Sequence, residues 1–178
     1  WETPEVLKEV AIKGFYSVTL TLNNIRKTAD LLTSVFGYTY VKQESNIHRY
    51  RTDAAENAAI VDLLEAPDAP KGINAGGTNH HVAFRVKDEE EQMAIREKVL
   101  EKGLYATEKI NRDYFFSVYF REPGGVLFEI ATENPGFLID ETVKELGSKL
   151  QLPDRYEPYR DRIEQVLPEL HVNKSSYA

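Results

Sequence analysis

The stretch "FREPGGVLFEIATENPGF", residues 120–137, sets a carboxylate, Glu129, inside the apolar run Val126, Leu127, Phe128, Ile130 and Ala131. An isolated buried charge costs several kcal/mol or neutralises itself, so a strand of this kind excludes Glu unless a cation, a metal or hydrogen bonds compensate it. One reading places Glu129 on a half-wetted face; the other gives it a partner. Side chains alternate across a strand, and alternation separates the two faces of three segments. In "HHVAFRV", Val82, Phe84 and Val86 share a face with His80, which leaves His81, Ala83 and Arg85 on the other. In "FFSVYFRE", Phe116, Val118 and Phe120 point one way and Ser117, Tyr119 and Arg121 the other. In "GVLFEIA", Glu129 falls opposite Val126, Phe128 and Ile130. His81, Tyr119 and Glu129 are thereby sent to one surface. A His and a carboxylate from neighbouring strands are part of the two-His, one-carboxylate arrangement that holds Fe(II) on one side and leaves the other positions open. His80 either supports His81 from behind or packs. Against the metal stands the plainer possibility that "HH" opens a strand with one buried, satisfied His and one exposed, and spacing alone leaves both open.

The elements that carry these residues occur twice. "FYSVTLTL" reads as a half-buried strand, and "NIRKTADLLTSVF" as a helix with Ile25, Ala29, Leu32 and Phe36 at helical spacing and Gly37 at its end. Strand-like pieces follow in "YTYVKQE", "IHRYRTD" and "AAIVDLLEA". After the loop "APDAPKGINAGGT" the order restarts with "HHVAFRV", the helix "DEEEQMAIREKVLEK" closed by Gly103, then "YATEKI", "FFSVYFRE" and "GVLFEIA". Val18 and Val82 lie 64 residues apart, Gly37 and Gly103 66, and Asp62 and Glu129 67, so the spacing is that of an internal repeat. One such repeat is too small to stand alone, and two should pack or pair their sheets. The expected organisation is an extension at 1–13, a first unit at 14–69, a loop at 70–78, a second unit at 79–134, a helical tail at 135–170 and a frayed end at 171–178. In the tail, "IDETVKELGSKLQ" and "RYEPYRDRIEQVLPEL" read as two helices.

Composition narrows the function. The chain has 178 residues, 42% hydrophobic and 29% charged, which is ordinary for a folded domain. A net charge of −7 without a basic stripe argues against nucleic acid and against an anionic membrane surface. With no cysteine there are neither disulfides nor thiolate metal sites, a pattern compatible with the cytoplasm. No apolar run reaches the roughly 20 residues of a membrane span.

The stretches "AIKGFYSVTLTL", "GGTNHHVAFRV" and "INRDYFFSVYFREPGGVLFEIATENPGF" resemble the vicinal oxygen chelate superfamily of glyoxalases, bleomycin-resistance proteins and extradiol dioxygenases. They are most similar to its ring-cleaving dioxygenases for hydroquinones, over almost the whole chain. The resemblance implies an α+β fold: two βαβββ units forming a curved mixed sheet with a metal-holding cleft, followed by C-terminal helices. It implies that His81 and Glu129 ligate the metal, Fe(II) or alternatively Mn(II). It also implies a catalytic set of Arg112 and Tyr119, beside which His80 would relay protons. The partners expected are a small aromatic substrate and O2, and a homodimer is allowed. One departure limits the likeness. The first-repeat position matching His81 is Ser17, and Asp62, matching Glu129, is better read as structural. The resemblance therefore implies that the second His comes from an N-terminal half of a longer chain, and the start at Trp1 without Met fits that expectation. On this reading the chain alone is inactive or nearly so. Two alternatives remain: a glyoxalase-like metal-dependent isomerase or lyase, and a metal-free module that binds aromatic compounds.

Overall fold

A computed structural model describes residues 3–168. The chain divides into a unit at 1–136 and a second at 137–178. The first unit contains both repeats. In the first repeat β1 (Ser17–Leu22) leads to α1 (Arg26–Ser34), β2 (Thr39–Glu44), β3 (Ile47–Arg51) and β4 (Ile60–Glu65). In the second, β5 (Val82–Val86) leads to α2 (Glu89–Glu101), β6 (Ile110–Asn111), β7 (Phe116–Arg121) and β8 (Leu127–Thr132). The fold is α+β with two βαβββ units, as expected. Each unit keeps its own four-stranded mixed sheet, ordered β1-β4-β3-β2 and β5-β8-β7-β6, with the first and last strands parallel and the rest antiparallel.

Local chemistry explains the helices. Asp88 caps α2 by accepting from the Glu91 N–H at 3.0 Å, which satisfies an orphan donor of the first turn, while the Glu91 carboxylate reaches back to accept from the Lys87 N–H, one residue before the cap, at 2.8 Å. Three acidic residues in its first turn and Lys98 in its last complement the helix dipole. Gly37 and Gly103 take φ of 69° and 76° just past α1 and α2, the left-handed conformation that lets each chain turn away.

One core joins the two repeats. Leu31, Leu32, Val61 and Leu63 from the first share a cluster with Phe84, Val118, Phe120, Phe128 and Ile130 from the second. Phe36, beyond α1, stacks on Phe84 at 4.3 Å between centroids and meets Phe128 edge-on at 6.2 Å. Each such fully buried side chain contributes about 2 kcal/mol, so neither repeat has a sufficient core without the other. A polar contact reinforces the seam: the Thr28 hydroxyl of α1 donates to the buried Glu122 carboxylate, which also accepts from the Val126 N–H at 2.8 Å. Gly124, in the same turn, is required by close approach, since a Cβ there would come within 2.5 Å of Leu22 and 2.7 Å of Glu122.

Three expectations are corrected. The strand expected over "YATEKI" shrinks to β6, Ile110–Asn111, plus a single bridge from Ala106 to Phe120. In the second unit "IDETVKELGSKLQ" forms turns, with a single 3₁₀ turn at Phe137–Ile139. Val143 and Leu146 are exposed there and Gly147 is left-handed, so the stretch has neither a buried face nor an uninterrupted helical backbone, and a short helix without packing is unstable. The expected last helix contracts to a 3₁₀ turn at Glu157–Tyr159 followed by α3 (Arg160–Val166). Leu167 turns extended with ψ 140° because it precedes Pro168. The end expected at 171–178 lies outside the described residues. Among the described residues no helix is long and apolar enough to cross a membrane.

Candidate metal centre

The β-ladders set the stations of the site. On β8, Glu129 lies between Ala83 of the parallel β5 and Tyr119 of the antiparallel β7. Phe128 and Ile130 face the core and are fully buried, so Glu129 must face the other way. It is nevertheless 3% exposed, which removes the half-wetted reading. His81 stands two residues before Ala83, on the same side. Its Nε2 lies 2.7 Å from Glu129 Oε2, joining a one-third exposed imidazole to a buried carboxylate.

Other side chains of this face close around the pair. The buried Ser117 hydroxyl donates to Glu129 Oε1. The His81 ring meets the Tyr119 ring edge-on, with centroids 5.9 Å apart. Tyr119 in turn lies under the Arg112 guanidinium, 5.4 Å from its centroid, and its hydroxyl accepts from an Arg112 nitrogen at 3.4 Å. Arg112 is aimed by a tight turn after β6. Its N–H donates to Phe115 O at 2.8 Å, and Asp113 takes φ of 67° with its N–H bound to Asn111 Oδ1 at 2.7 Å. A left-handed non-glycine residue is costly, and the Asn111 side chain holds it in place.

His80 departs from the alternation argument. It was expected beside Val82 and Phe84 on the apolar face. Instead β5 begins only at Val82, both His80 and His81 are exposed, and their Nδ1 atoms are 2.9 Å apart. Which Nδ1 donates follows the tautomer; with a cation on His81 Nε2, the Nδ1–H of His81 would donate to His80, the kind of outer support that fixes an imidazole's orientation at metal sites. The idea of one buried, satisfied His falls with this geometry.

The donor chemistry fits a divalent cation in two positions. Two ligand atoms about 2.1 Å from one ion and roughly at right angles lie about 3 Å apart, close to the observed spacing of His81 Nε2 and Glu129 Oε2. Among the described residues no group of three His, Cys, Asp or Glu side chains converges, so the third donor is not found there.

The corresponding place in the first repeat is built differently. Asp62 lies opposite Thr19 on β1 and Arg49 on β3, which makes Ser17 the station of His81 and Arg49 that of Tyr119. Arg49 binds Asp62 through both carboxylate oxygens at 2.8 Å and lies 5.8 Å over the Tyr16 ring. The hydrogen bonds it donates to Asp62 raise the Arg49 guanidinium well above its ordinary value. Two residues escaped the reading from sequence. Ser117 was placed on the correct face but given no partner, and Glu122 was given no role. The signal for Glu122 was available in "REPGGV", where a carboxylate two residues ahead of a Gly-Gly pair can accept from its own returning strand.

Comparison with known proteins bears on this geometry. The family model for the Glyoxalase/Bleomycin resistance protein/Dioxygenase superfamily matches residues 14–130. Over 98% of its length the chain is 42% identical to the Bacillus subtilis protein named "Putative ring-cleaving dioxygenase MhqO", of which it covers 55%. It is 34% identical, over 92% of its length and 51% of the relative's, to the chlorohydroquinone/hydroquinone 1,2-dioxygenase of Sphingobium indicum. A solved structure from Bacillus subtilis superposes with a TM-score of 0.88 at 42% identity, covering 97% of this chain and 55% of that one. A fosfomycin resistance protein from Listeria monocytogenes, at 20% identity and a TM-score of 0.55, shares the fold. The chain spans about half the length of the curated relatives it matches.

Proposed function

Since the chain belongs to the Glyoxalase/Bleomycin resistance protein/Dioxygenase superfamily, we propose that it is the C-terminal, metal-bearing part of an Fe(II)-dependent, extradiol-type dioxygenase that cleaves the ring of hydroquinones or related phenols. The names of its relatives support the enzyme class. The observation that carries the site is the buried Glu129 carboxylate with one oxygen 2.7 Å from His81 Nε2.

His81 and Glu129 hold the cation, Fe(II) or alternatively Mn(II). When bound, a ferrous ion supplies neighbouring open positions for a deprotonated ring hydroxyl and for O2, and a route for electrons between them. The protein's own groups do the rest. His80 accepts from the Nδ1–H of His81 and keeps Nε2 available as a lone pair. Arg112 offers a cationic donor to a phenolate oxygen at the cleft edge. Tyr119 accepts from Arg112, so its own O–H is left to donate to the substrate as ring charge develops. The ring carbon–carbon bond breaks and both atoms of O2 enter the product. The third metal donor comes from the half of the relatives' length that this sequence does not span. With two donors of three, the chain by itself binds the cation weakly and turns over little.

Titration with Mn(II), followed by the loss of its free-ion magnetic resonance signal, tests the site. Binding is expected to disappear in both His81→Ala and Glu129→Ala, and binding that survives both substitutions sinks the assignment. For the reaction, the chain is joined to the remaining half, loaded anaerobically with Fe(II), and given hydroquinone in an oxygen cell. Equimolar uptake of O2 is expected. Metal-dependent turnover without O2 uptake would point to isomerase or lyase chemistry, and hydroquinone binding without metal to a binding module.

A further inference from the structure

Ser117 is fully buried on β7, and its hydroxyl donates to Glu129 Oε1. It stands two residues from Tyr119 and directly opposite Ala131, whose small side chain leaves room for the Glu129 carboxylate to lean across the ladder. The equivalent first-repeat pair is Ile47 opposite Leu64, both apolar, and there the carboxylate is held by Arg49 instead. A donor at this station therefore accompanies the carboxylate that faces a histidine and is absent beside the one that faces an arginine.

We infer that Ser117 is a positioning residue: by occupying Oε1 it leaves Oε2 alone to face His81 and the cation held with it. Glu129 is thus presented as a one-oxygen ligand, with its carboxylate plane fixed before any ion arrives. The inference rests on the site reading given under the proposed function. Ser117 has no contact with substrate; it acts through Glu129.

The test is the same Mn(II) titration applied to Ser117→Ala and Ser117→Thr, with thermal unfolding measured alongside. Loss of an outer-sphere partner of a metal ligand typically weakens binding about 10- to 100-fold, and that range is expected for Ser117→Ala, with Ser117→Thr recovering most of the loss because it keeps the hydroxyl. A role in stability alone would lower the unfolding midpoint and leave the affinity of the folded protein unchanged. If Ser117→Ala does not fold, the near-isosteric Ser117→Cys, a weak donor, takes its place and must also bind more weakly. Wild-type protein that binds Mn(II) together with a Ser117→Ala or Ser117→Cys variant of equal affinity overturns this inference and leaves the site intact. Wild-type protein that binds no Mn(II) overturns the site reading and this inference with it.

Discussion

Asp62 in the first repeat and Glu129 in the second occupy the same backbone station, the third residue of the last strand, between a parallel and an antiparallel neighbour. The fold supplies a slot for a buried carboxylate twice over. What stands across from it decides its chemistry. Asp62 faces Arg49, whose planar guanidinium binds both oxygens and leaves no lone pair directed at a ligand. Glu129 faces Tyr119, reaches one methylene further, and gives one oxygen to Ser117 and the other to His81. The first slot is neutralised within the protein, whereas the second keeps an imidazole nitrogen and a carboxylate oxygen side by side. The same topology thus holds one carboxylate closed by an arginine and another set between a serine and a histidine.

The sharpest way to break this contrast is Glu129→Ala set against Asp62→Ala. The first should abolish cation binding, read by Mn(II) titration; the second should leave it unchanged. Asp62→Ala should instead remove about 2 kcal/mol of stability, because Arg49 loses its partner in a partly shielded setting, and denaturant midpoints check this. Equal stability losses from both substitutions, with binding intact in both, would erase the distinction. Next in size is a graft of the second pattern onto the first. Ser17→His with Arg49→Tyr should add a second Mn(II) equivalent of lower affinity, since Asp62 is shorter and Ile47 stands where Ser117 would help.

The smallest effect concerns pH. Burial raises the Tyr38 and Tyr50 phenols above their ordinary value, Tyr40 adding to the effect on Tyr50. A folded-state value above the unfolded one means that the stability contributed is complete below about pH 10 and fades as pH climbs toward the folded-state values. Thermal midpoints should therefore fall above about pH 10, and Tyr38→Phe with Tyr50→Phe should blunt the fall. Both residues belong to the first repeat, so an unblunted fall would locate the alkaline weakness elsewhere.

Strand alternation made much of the second site legible, because period two is a local property of sequence. It carried His81, Glu129, Tyr119 and Ser117 to one face. It failed at His80, because β5 begins only at Val82, after the His pair, and alternation does not reach that far back. Alternation also says nothing about which of two same-face residues will touch. The Ser117 bond to Glu129 runs diagonally across the β7–β8 ladder and the Arg49 clamp on Asp62 directly across β3–β4, so both depend on register, which a sequence specifies only once its hairpin is known. The repeat itself was legible in spacing. The tail was not, since "IDETVKELGSKLQ" has helical composition but no buried face in the structure, and propensity alone does not hold so short a helix.

The bond from Thr28 to Glu122 carries a consequence for the integrity of the molecule. Glu122 closes the turn between β7 and β8, the two strands that bear Tyr119 and Glu129, and it is secured by a helix of the other repeat. The first repeat therefore helps to hold the turn that carries the candidate site of the second. Once such a latch exists, deletion of the first repeat strands the Glu122 carboxylate without its hydroxyl donor and deletion of the second leaves the Thr28 hydroxyl without its acceptor, so neither repeat is spare.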